Sequence, residues 1–187
     1  MNQSPRVSVI LPVYNDAERL KLCLEALEAQ SYPSDGYEVI VVDNGSDKSP
    51  DLVVALFPHA TLAFQPKAGS YAARNMGLSV ANGQFLAFTD ADCIATPQWL
   101  RCGVNRMLEL NGKGLVAGYI RLFYKKPKRP GWVELCDLAT AFEHCLPLVR
   151  SPATNLQGDW VLTPASWVGS RIQNVKSQTT PKPQIQD

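Results

Sequence analysis

Several features that would assign this chain to a familiar class are missing from its sequence. The 187 residues carry a formal net charge of only +1, which gives no electrostatic reason to expect nucleic-acid binding. No apolar run approaches the ~20 residues of a membrane-spanning helix, and Met1–Arg6 lacks the core of a signal peptide. The five cysteines are odd in number and form no C-x-x-C pair. This pattern favours reduced thiols in a cytoplasmic protein over a disulfide framework or a zinc site.

Two glycine-rich phosphate motifs are also absent. No G-x-G-x-x-G follows the first predicted strand, which argues against a Rossmann dehydrogenase. The sequence also lacks G-x-x-x-x-G-K-[ST], which argues against a P-loop enzyme. If the ligand carries phosphate groups, their negative charge would therefore have to be neutralised by a metal ion bound at Asp92, with help from Arg74. The hydrophobic content of 45% and charged content of 19% are those of an ordinary globular domain.

The hydrophobic pattern predicts strands that alternate with helices. Apolar strands are predicted at Val7–Leu11, Glu38–Val42, Ala60–Phe64, Phe85–Phe88 and Gly118–Phe123. Helices are predicted after the capping residue Asp16, from Ser49-Pro50-Asp51, over Ser70–Ala81 and from Thr96-Pro97 towards Leu110. This order is typical of an α/β fold with a doubly wound, mostly parallel sheet and helices on both faces.

Asp90-Ala91-Asp92 follows the fourth predicted strand and brings two carboxylates close together. Side chains alternate along extended chain, so residues 90 and 92 are expected to face the same side. Such oxygen ligands suit Mg²⁺ or Mn²⁺, which keeps further positions for water and substrate phosphate. A solvated acidic turn is the alternative, and for a D-x-D sequence taken alone it is the commoner one.

Two other predicted strand ends are polar, at Tyr14-Asn15-Asp16 and Asp43-Asn44-Gly45-Ser46. Turn chemistry explains each of them singly. However, ligands of open α/β sheets bind at the carboxyl ends of the strands, and a parallel sheet would bring all three segments to one edge. Their joint placement predicts a crevice that suits a nucleotide diphosphate beside a metal ion.

Four motifs in one order closely resemble the family-two glycosyltransferases, which have a GT-A fold. They are Val9–Asn15, Val41–Ser46, Ala73-Arg74-Asn75-x-Gly77 and Phe88–Asp92. The resemblance runs from about residue 6 to residue 155. It implies a nucleotide-sugar donor, often a UDP-sugar, a divalent cation (Mg²⁺ or Mn²⁺) and inversion at the anomeric carbon.

The resemblance also implies roles for individual residues. Asp43 would hydrogen-bond the base, Asp90 would contact the ribose or a metal-bound water, and Asp92 would bind the metal directly. Asp90 and Asp92 are therefore candidate catalytic residues, because the metal would neutralise charge as the diphosphate leaves. The full set expected around the nucleotide-sugar is Pro12, Tyr14, Asn15, Asp43, Asn44, Ser46, Arg74, Asn75 and Asp90.

The resemblance ends after Asn155. An inverting transfer needs a general base for the acceptor hydroxyl, and from residue 156 onward the chain has only two acids, Asp159 and Asp187. Asp159 is the candidate base, with an ordinary loop acid as the alternative. We therefore predict a nucleotide-sugar-binding domain over residues 1–155 and a divergent, disordered tail over residues 156–187. Such a chain would be truncated or frame-shifted, with an incomplete acceptor-side region.

Three functions remain open at this stage. The first is a glycosyltransferase acting on an unknown saccharide or lipid-linked acceptor, and the second is an inactive module that only binds the nucleotide diphosphate. A nucleotidyltransferase is less well supported, because Pro12–Asn15 replaces the glycine-rich opening expected there. The basic run Lys125–Arg129 is either a solvated loop or a contact with anionic lipid. At most it allows peripheral contact at the inner face of a membrane.

Overall fold

The computed structural model describes residues 4–118 and the backbone of residues 161–164. Helices and strands alternate along this part of the chain, which confirms the predicted α/β class. The elements are β1 (Val7–Val13), α1 (Ala17–Glu28), β2 (Tyr37–Asp43), α2 (Asp51–Val54), β3 (Ala60–Phe64), α3 (Ser70–Val80), β4 (Phe85–Phe88), α4 (Trp99–Glu109), β5 (Val116–Ala117) and β6 (Val161–Pro164). No helix in these ranges is long and apolar enough to cross a membrane.

The strands form one sheet in the order β3-β2-β1-β4-β6-β5. Strands β3, β2, β1 and β4 are parallel, while β6 is antiparallel to both β4 and β5. The prediction of a mostly parallel sheet is therefore confirmed. Because β1 lies between β2 and β4, the carboxyl ends of these three strands share one edge of the sheet, here called the carboxyl edge.

Helices cover both faces of the sheet. On one face, alternate residues of β1 pack with leucines of α1 and with α4; this core includes Val7, Val9, Leu11, Leu20, Leu24, Leu27, Leu100 and Met107. On the other face, Ile40 and Val42 of β2 pack against Ala73 of α3. Burying each large aliphatic side chain contributes about 1.5–3 kcal/mol before entropy is counted. Helix α1 therefore packs on one face of the sheet and α3 on the other, so the two helices flank the carboxyl edge from opposite sides.

Helix α3 lies close to β1 because residue 77 is glycine. A Cβ atom at Gly77 would stand 2.5 Å from Cγ2 of Ile10, too near for any real contact. The glycine explains part of the Ala73-Arg74-Asn75-x-Gly77 motif. Since α3 begins at the carboxyl edge, its close approach brings Arg74, about one turn before Gly77, near the end of β4.

Three predicted bounds need correction. Strand β1 was predicted to end at Leu11, just before Pro12, but it continues to Val13. The β1–β4 ladder ends at the pair Ile10 and Phe88, so the missing N–H of Pro12 falls beyond the last pairing with β4. Helix α4 begins at Trp99 rather than at Thr96-Pro97, and Pro50 precedes α2 instead of opening it. Of the predicted strand Gly118–Phe123, only Gly118 is described, and it lies just after β5.

Candidate functional site

The three polar segments identified in the sequence lie together at the carboxyl edge. They follow β1, β2 and β4, and β1 is the central strand of the three. The ends of β2 and β4 are therefore two strand spacings apart, roughly 10 Å. Asp43 ends β2 and Asp90 follows β4, so the two carboxylates lie on either side of Tyr14 and Asn15.

The loops after β1 and β2 are joined by a reciprocal pair of side-chain hydrogen bonds. Asn15 Nδ2 donates to Asp47 Oδ2 at 3.0 Å, and the backbone N–H of Asp47 donates to Asn15 Oδ1 at 2.8 Å. The backbone N–H of Asn15 also donates to Ser46 Oγ at 2.8 Å. Asn15 adopts a φ of +50°, a left-handed conformation that asparagine tolerates better than most residues. We call these three contacts the Asn15–Asp47 clip.

The loop after β2 is also stabilised from within. Asp43 is only 4% exposed, and its Oδ1 accepts the backbone N–H of Ser46 at 3.0 Å. Gly45 between them has a φ of +84°, which suits glycine. The Asp43 carboxylate is therefore almost wholly buried at the strand end, and one of its oxygens is engaged by the Ser46 N–H.

Asn44 joins this loop to the loop that leads into α3. Its Nδ2 donates to the carbonyls of Gln65 and Lys67 at 3.0 and 2.8 Å, and its Oδ1 accepts the N–H of Gly69 at 2.7 Å. Both amide hydrogens are thus engaged with backbone carbonyls. In this structure Asn44 orders the approach to α3, a structural role that its place in the motif did not reveal.

Asp90 and Asp92 lie in a turn, which corrects the expectation of extended chain. Strand β4 ends at Phe88, Thr89 N–H donates to the carbonyl of Ile10, and Cys93 N–H donates to the carbonyl of Asp90 at 3.1 Å. Ala91 is buried. The chain must reverse here to reach α4. The two carboxylates therefore lie at the carboxyl edge because of this turn, and not because side chains alternate along an extended strand.

Each carboxylate of this acidic turn has a guanidinium partner. Arg74 of α3 pairs with Asp90 Oδ1 at 2.5 Å, and Arg19 of α1 lies 3.6 Å from Asp92 Oδ2. Arg19 also pairs with Asp16 Oδ2 at 2.5 Å. That hydrogen bond and the charge of Asp16 raise the pKa of Arg19 above its ordinary value, and Asp92 adds a smaller effect. Because α1 and α3 cover opposite faces, the turn is flanked by a cation from each side.

A buried thiol lies beneath the acidic turn. Cys23 of α1 donates from Sγ to the carbonyl oxygen of Asp90 at 3.7 Å. Burial raises the pKa of Cys23 to about 12, and the nearby charges of Cys93, Asp92 and Asp90 act in the same direction. Cys23 is therefore a neutral thiol at ordinary pH, and it supports the turn without offering a thiolate ligand.

The acidic turn fits a divalent ion that arrives with a diphosphate. Within residues 4–118 no three His, Cys, Asp or Glu side chains are grouped to hold a metal on their own. Mg²⁺ needs no such cage, because one or two carboxylates suffice when substrate phosphates supply other ligands. The side chains of Asp90 and Asp92 are 45% and 53% exposed. Their oxygens can therefore be reached from solvent.

The other predicted site residues differ in accessibility. Tyr14 is 63% exposed, Asn75 is exposed on α3, and Pro12 is buried within β1. Asp159 and Lys125–Arg129 lie outside the described residues. A cavity of about 370 Å³ borders the same edge, and it is lined by Val13, Asn15, Asp16, Ala17, Ser46, Asp47, Lys48 and Pro50. It lies beside the Asn15–Asp47 clip, and neither Asp43 nor the acidic turn lines it.

Comparison with known sequences identifies the family. Residues 8–151 match the sequence model described as Glycosyl transferase family 2. The chain belongs to this family. It is a glycosyltransferase by family, as the four motifs predicted.

Two curated relatives illustrate the extent of the likeness. The chain is 43% identical over 125 residues to the glycosyltransferase AglE of Haloferax volcanii, covering 64% of this chain and 41% of AglE. It is 30% identical over 182 residues to the glycosyltransferase GlyG of Streptococcus pneumoniae, covering 94% of this chain and 58% of GlyG. The chain thus spans about half the length of these relatives. The alignment with GlyG continues past residue 155, and the division of the chain at that residue stays a prediction.

Solved structures confirm the GT-A-like fold. S. aureus TarS 1–349 in complex with UDP superposes with a TM-score of 0.63 at 18% identity, over 89% of this chain and 49% of that one. The mannosyltransferase PcManGT from Pyrobaculum calidifontis, in complex with GDP-Man and Mn²⁺, gives a TM-score of 0.61 at 22% identity, over 91% of this chain and 47% of that one. At these identities the likeness concerns the fold alone.

The Asn15–Asp47 clip leads to a prediction about stability. Asn15→Asp places two carboxylates against each other, so we expect the free energy of unfolding to fall by about 1–2 kcal/mol. Adding Asp47→Asn reverses the direction of the side-chain hydrogen bond and should restore stability to within about 0.5 kcal/mol of the parent. Urea unfolding of the parent, both single variants and the double variant measures this coupling. A double variant no more stable than Asn15→Asp would show that the clip does not form.

Proposed function

We propose that this chain binds a nucleotide-sugar, with a UDP-sugar as the favoured donor, together with Mg²⁺ or Mn²⁺, and transfers the sugar with inversion. One observation carries the proposal: a buried, hydrogen-bonded carboxylate at the end of β2 and an accessible acidic turn after β4 share the carboxyl edge of a family-two domain. The complexes of two structural neighbours, one with UDP and one with GDP-Man and Mn²⁺, support the same class of ligand.

The nucleoside would bind at the ends of β1 and β2. One oxygen of Asp43 accepts the Ser46 N–H, and its other oxygen would accept a hydrogen bond from the base. The exposed ring of Tyr14 offers an apolar face to the base or ribose, and Pro12 would form the floor beneath it. Asn15, Asn44 and Ser46 would act chiefly by holding these loops in place, since their side chains are engaged in the contacts described above.

The diphosphate and sugar would lie between α3 and the acidic turn. Arg74 and Asn75 would face the donor from α3, with Asp90 held by Arg74 close to the ribose or to metal-bound water. Asp92 would be the direct metal ligand. When bound, the cation supplies Lewis-acid stabilisation of the departing diphosphate. The protein's own contribution is to orient the donor on rigid strand ends.

Transfer also requires an acceptor and a base. We propose Asp159 for the base, and a saccharide or lipid-linked hydroxyl for the acceptor, in the cytoplasm or at the inner face of a membrane. If the chain were only a binding module, it would hold the nucleotide diphosphate without transferring or hydrolysing the donor. Release of free UDP from UDP-sugars, measured with and without a panel of hydroxyl acceptors, separates these two functions.

The binding step is tested by calorimetry with UDP, GDP, ADP and CDP, each with Mn²⁺ and with EDTA. We expect one nucleotide, UDP, to bind best and to bind more tightly with Mn²⁺. Absence of binding by all four nucleotides would contradict the proposal. Equal binding with and without metal would contradict the metal assignment alone.

Base recognition gives a separate prediction. Asp43→Asn keeps an oxygen for the Ser46 N–H but removes the negative charge, so we expect UDP affinity to fall about tenfold, the worth of one charged hydrogen bond. The ratio of affinities with and without Mn²⁺ should stay the same, because Asp43 ends a strand roughly 10 Å from the strand that carries the acidic turn. An unchanged affinity for UDP, measured by calorimetry, would remove Asp43 from the site.

A further inference from the structure

Arg19 links the start of α1 to the acidic turn. It lies in the first turn of the helix, where its guanidinium pairs with Asp16 through Nη2 and lies 3.6 Å from Asp92 through Nη1. Arg19 is not among the residues proposed to contact the donor. The residue that it approaches, Asp92, is the one proposed to bind the metal.

Asp16 holds both the backbone and the side chain of Arg19. Asp16 caps α1, because its Oδ1 accepts the backbone N–H of Arg19 at 3.4 Å. The other oxygen of the same carboxylate holds the Arg19 side chain. Backbone and side chain therefore engage one anchor, which directs the guanidinium towards the end of β4 and reduces the entropy lost in pairing with Asp92.

We infer that Arg19 is the counter-ion of Asp92 in the nucleotide-free protein, and that it makes metal binding depend on the diphosphate. This inference rests on the proposed function. A guanidinium so close to Asp92 repels a divalent cation that approaches the same carboxylate. A bound diphosphate offers the guanidinium another anion to pair with, so that Arg19 no longer opposes the cation at Asp92. Arg19 thus acts as a positioning residue that disfavours metal without donor.

The expected size of this effect follows from exposure. The side chains of Arg19 and Asp92 are 59% and 53% exposed, so water and salt weaken their interaction. We therefore expect Arg19 to lower the affinity of the nucleotide-free protein for Mn²⁺ by about three- to tenfold. By thermodynamic linkage, the factor by which Mn²⁺ tightens UDP binding equals the factor by which UDP tightens Mn²⁺ binding, so removing the charge of Arg19 should lower both factors equally.

The test uses Arg19→Gln, which removes the charge and leaves the backbone contact with Asp16. The control is Arg106→Gln, which removes the same charge from α4, where Arg106 pairs with Glu109. This site lies near the C-terminal end of α4 and away from the carboxyl edge. Circular dichroism checks folding, and calorimetry gives the affinity for Mn²⁺ alone and for Mn²⁺ with saturating UDP.

We expect Arg19→Gln to bind Mn²⁺ alone three- to tenfold more tightly than the parent, and to differ less than twofold when UDP is present. A loss of structural support would weaken binding, so a gain distinguishes this role from a merely structural one. Unchanged or weaker Mn²⁺ binding by Arg19→Gln would overturn the inference, as would an equal gain in Arg106→Gln. A parent that binds neither Mn²⁺ nor UDP would instead overturn the proposed function.

Discussion

Asp92→Asn should lower the affinity for UDP measured in Mn²⁺ by about ten- to hundredfold, because it removes the anionic side chain proposed to bind the metal. Asp92 is the more exposed acid of the turn, and its guanidinium neighbour lies at 3.6 Å, whereas Asp90 is paired closely with Arg74. The affinity measured in EDTA should stay the same, because the nucleoside contacts proposed at Asp43 and Tyr14 do not involve Asp92. Calorimetry on the same protein in both buffers gives the two values.

The matched control for this variant is Asp35→Asn. Asp35 is exposed in the short 3₁₀ turn before β2, at the opposite edge of the sheet. It changes the net charge equally, so a long-range charge effect would appear in both variants. If Asp92→Asn kept the full gain from Mn²⁺, the metal would have to bind elsewhere.

Gly83→Ala should cause a large loss of stability. A Cβ at residue 83 would stand 2.4 Å from the backbone nitrogen of Ser8 and 2.8 Å from the carbonyl oxygen of Phe85. Both contacts are with backbone, so no side chain can rotate away. We expect the free energy of unfolding to fall by about 3 kcal/mol, and Tm by about 6–12 °C.

Hydrogen bonds around Gly83 increase this cost. Gly83 N–H donates to Ser8 Oγ at 2.7 Å, and Ser8 in turn donates to Glu38 at 2.6 Å. Moving the chain away from Ser8 would leave the buried Gly83 N–H without its acceptor. Asn82→Ala is the control, because Asn82 is exposed and its side chain contacts only the carbonyl of Val80 among the described contacts. Thermal unfolding of Gly83→Ala that matched Asn82→Ala would contradict this account.

The main features of the fold could be predicted because its signals are local. Apolar runs gave β2, β3 and β4 to within one residue, and Asp16 identified the start of α1. The parallel arrangement followed from the alternation of helices and strands. Strand β6 could not be predicted, because its partner β4 is far away in the sequence.

For the site, the sequence predicted which polar residues follow the strands but not the contacts that they make. The contacts that shape it join residues distant in sequence: Asn15 with Asp47, Asn44 with Gly69, and Arg19 with Asp92. None of these pairs leaves a pattern in a single sequence. The turn at Asp90 was missed for a related reason, since its geometry depends on where the pairing of β4 with β1 ends.

The most direct test of the central claim is a crystal structure of the chain with UDP and Mn²⁺, in which manganese is located by its anomalous signal. We expect a single strong peak at the Asp92 carboxylate, with the uracil near Asp43 and the diphosphate between Arg74 and the acidic turn. A manganese peak away from Asp92, or UDP bound in the cavity beside the Asn15–Asp47 clip, would contradict it.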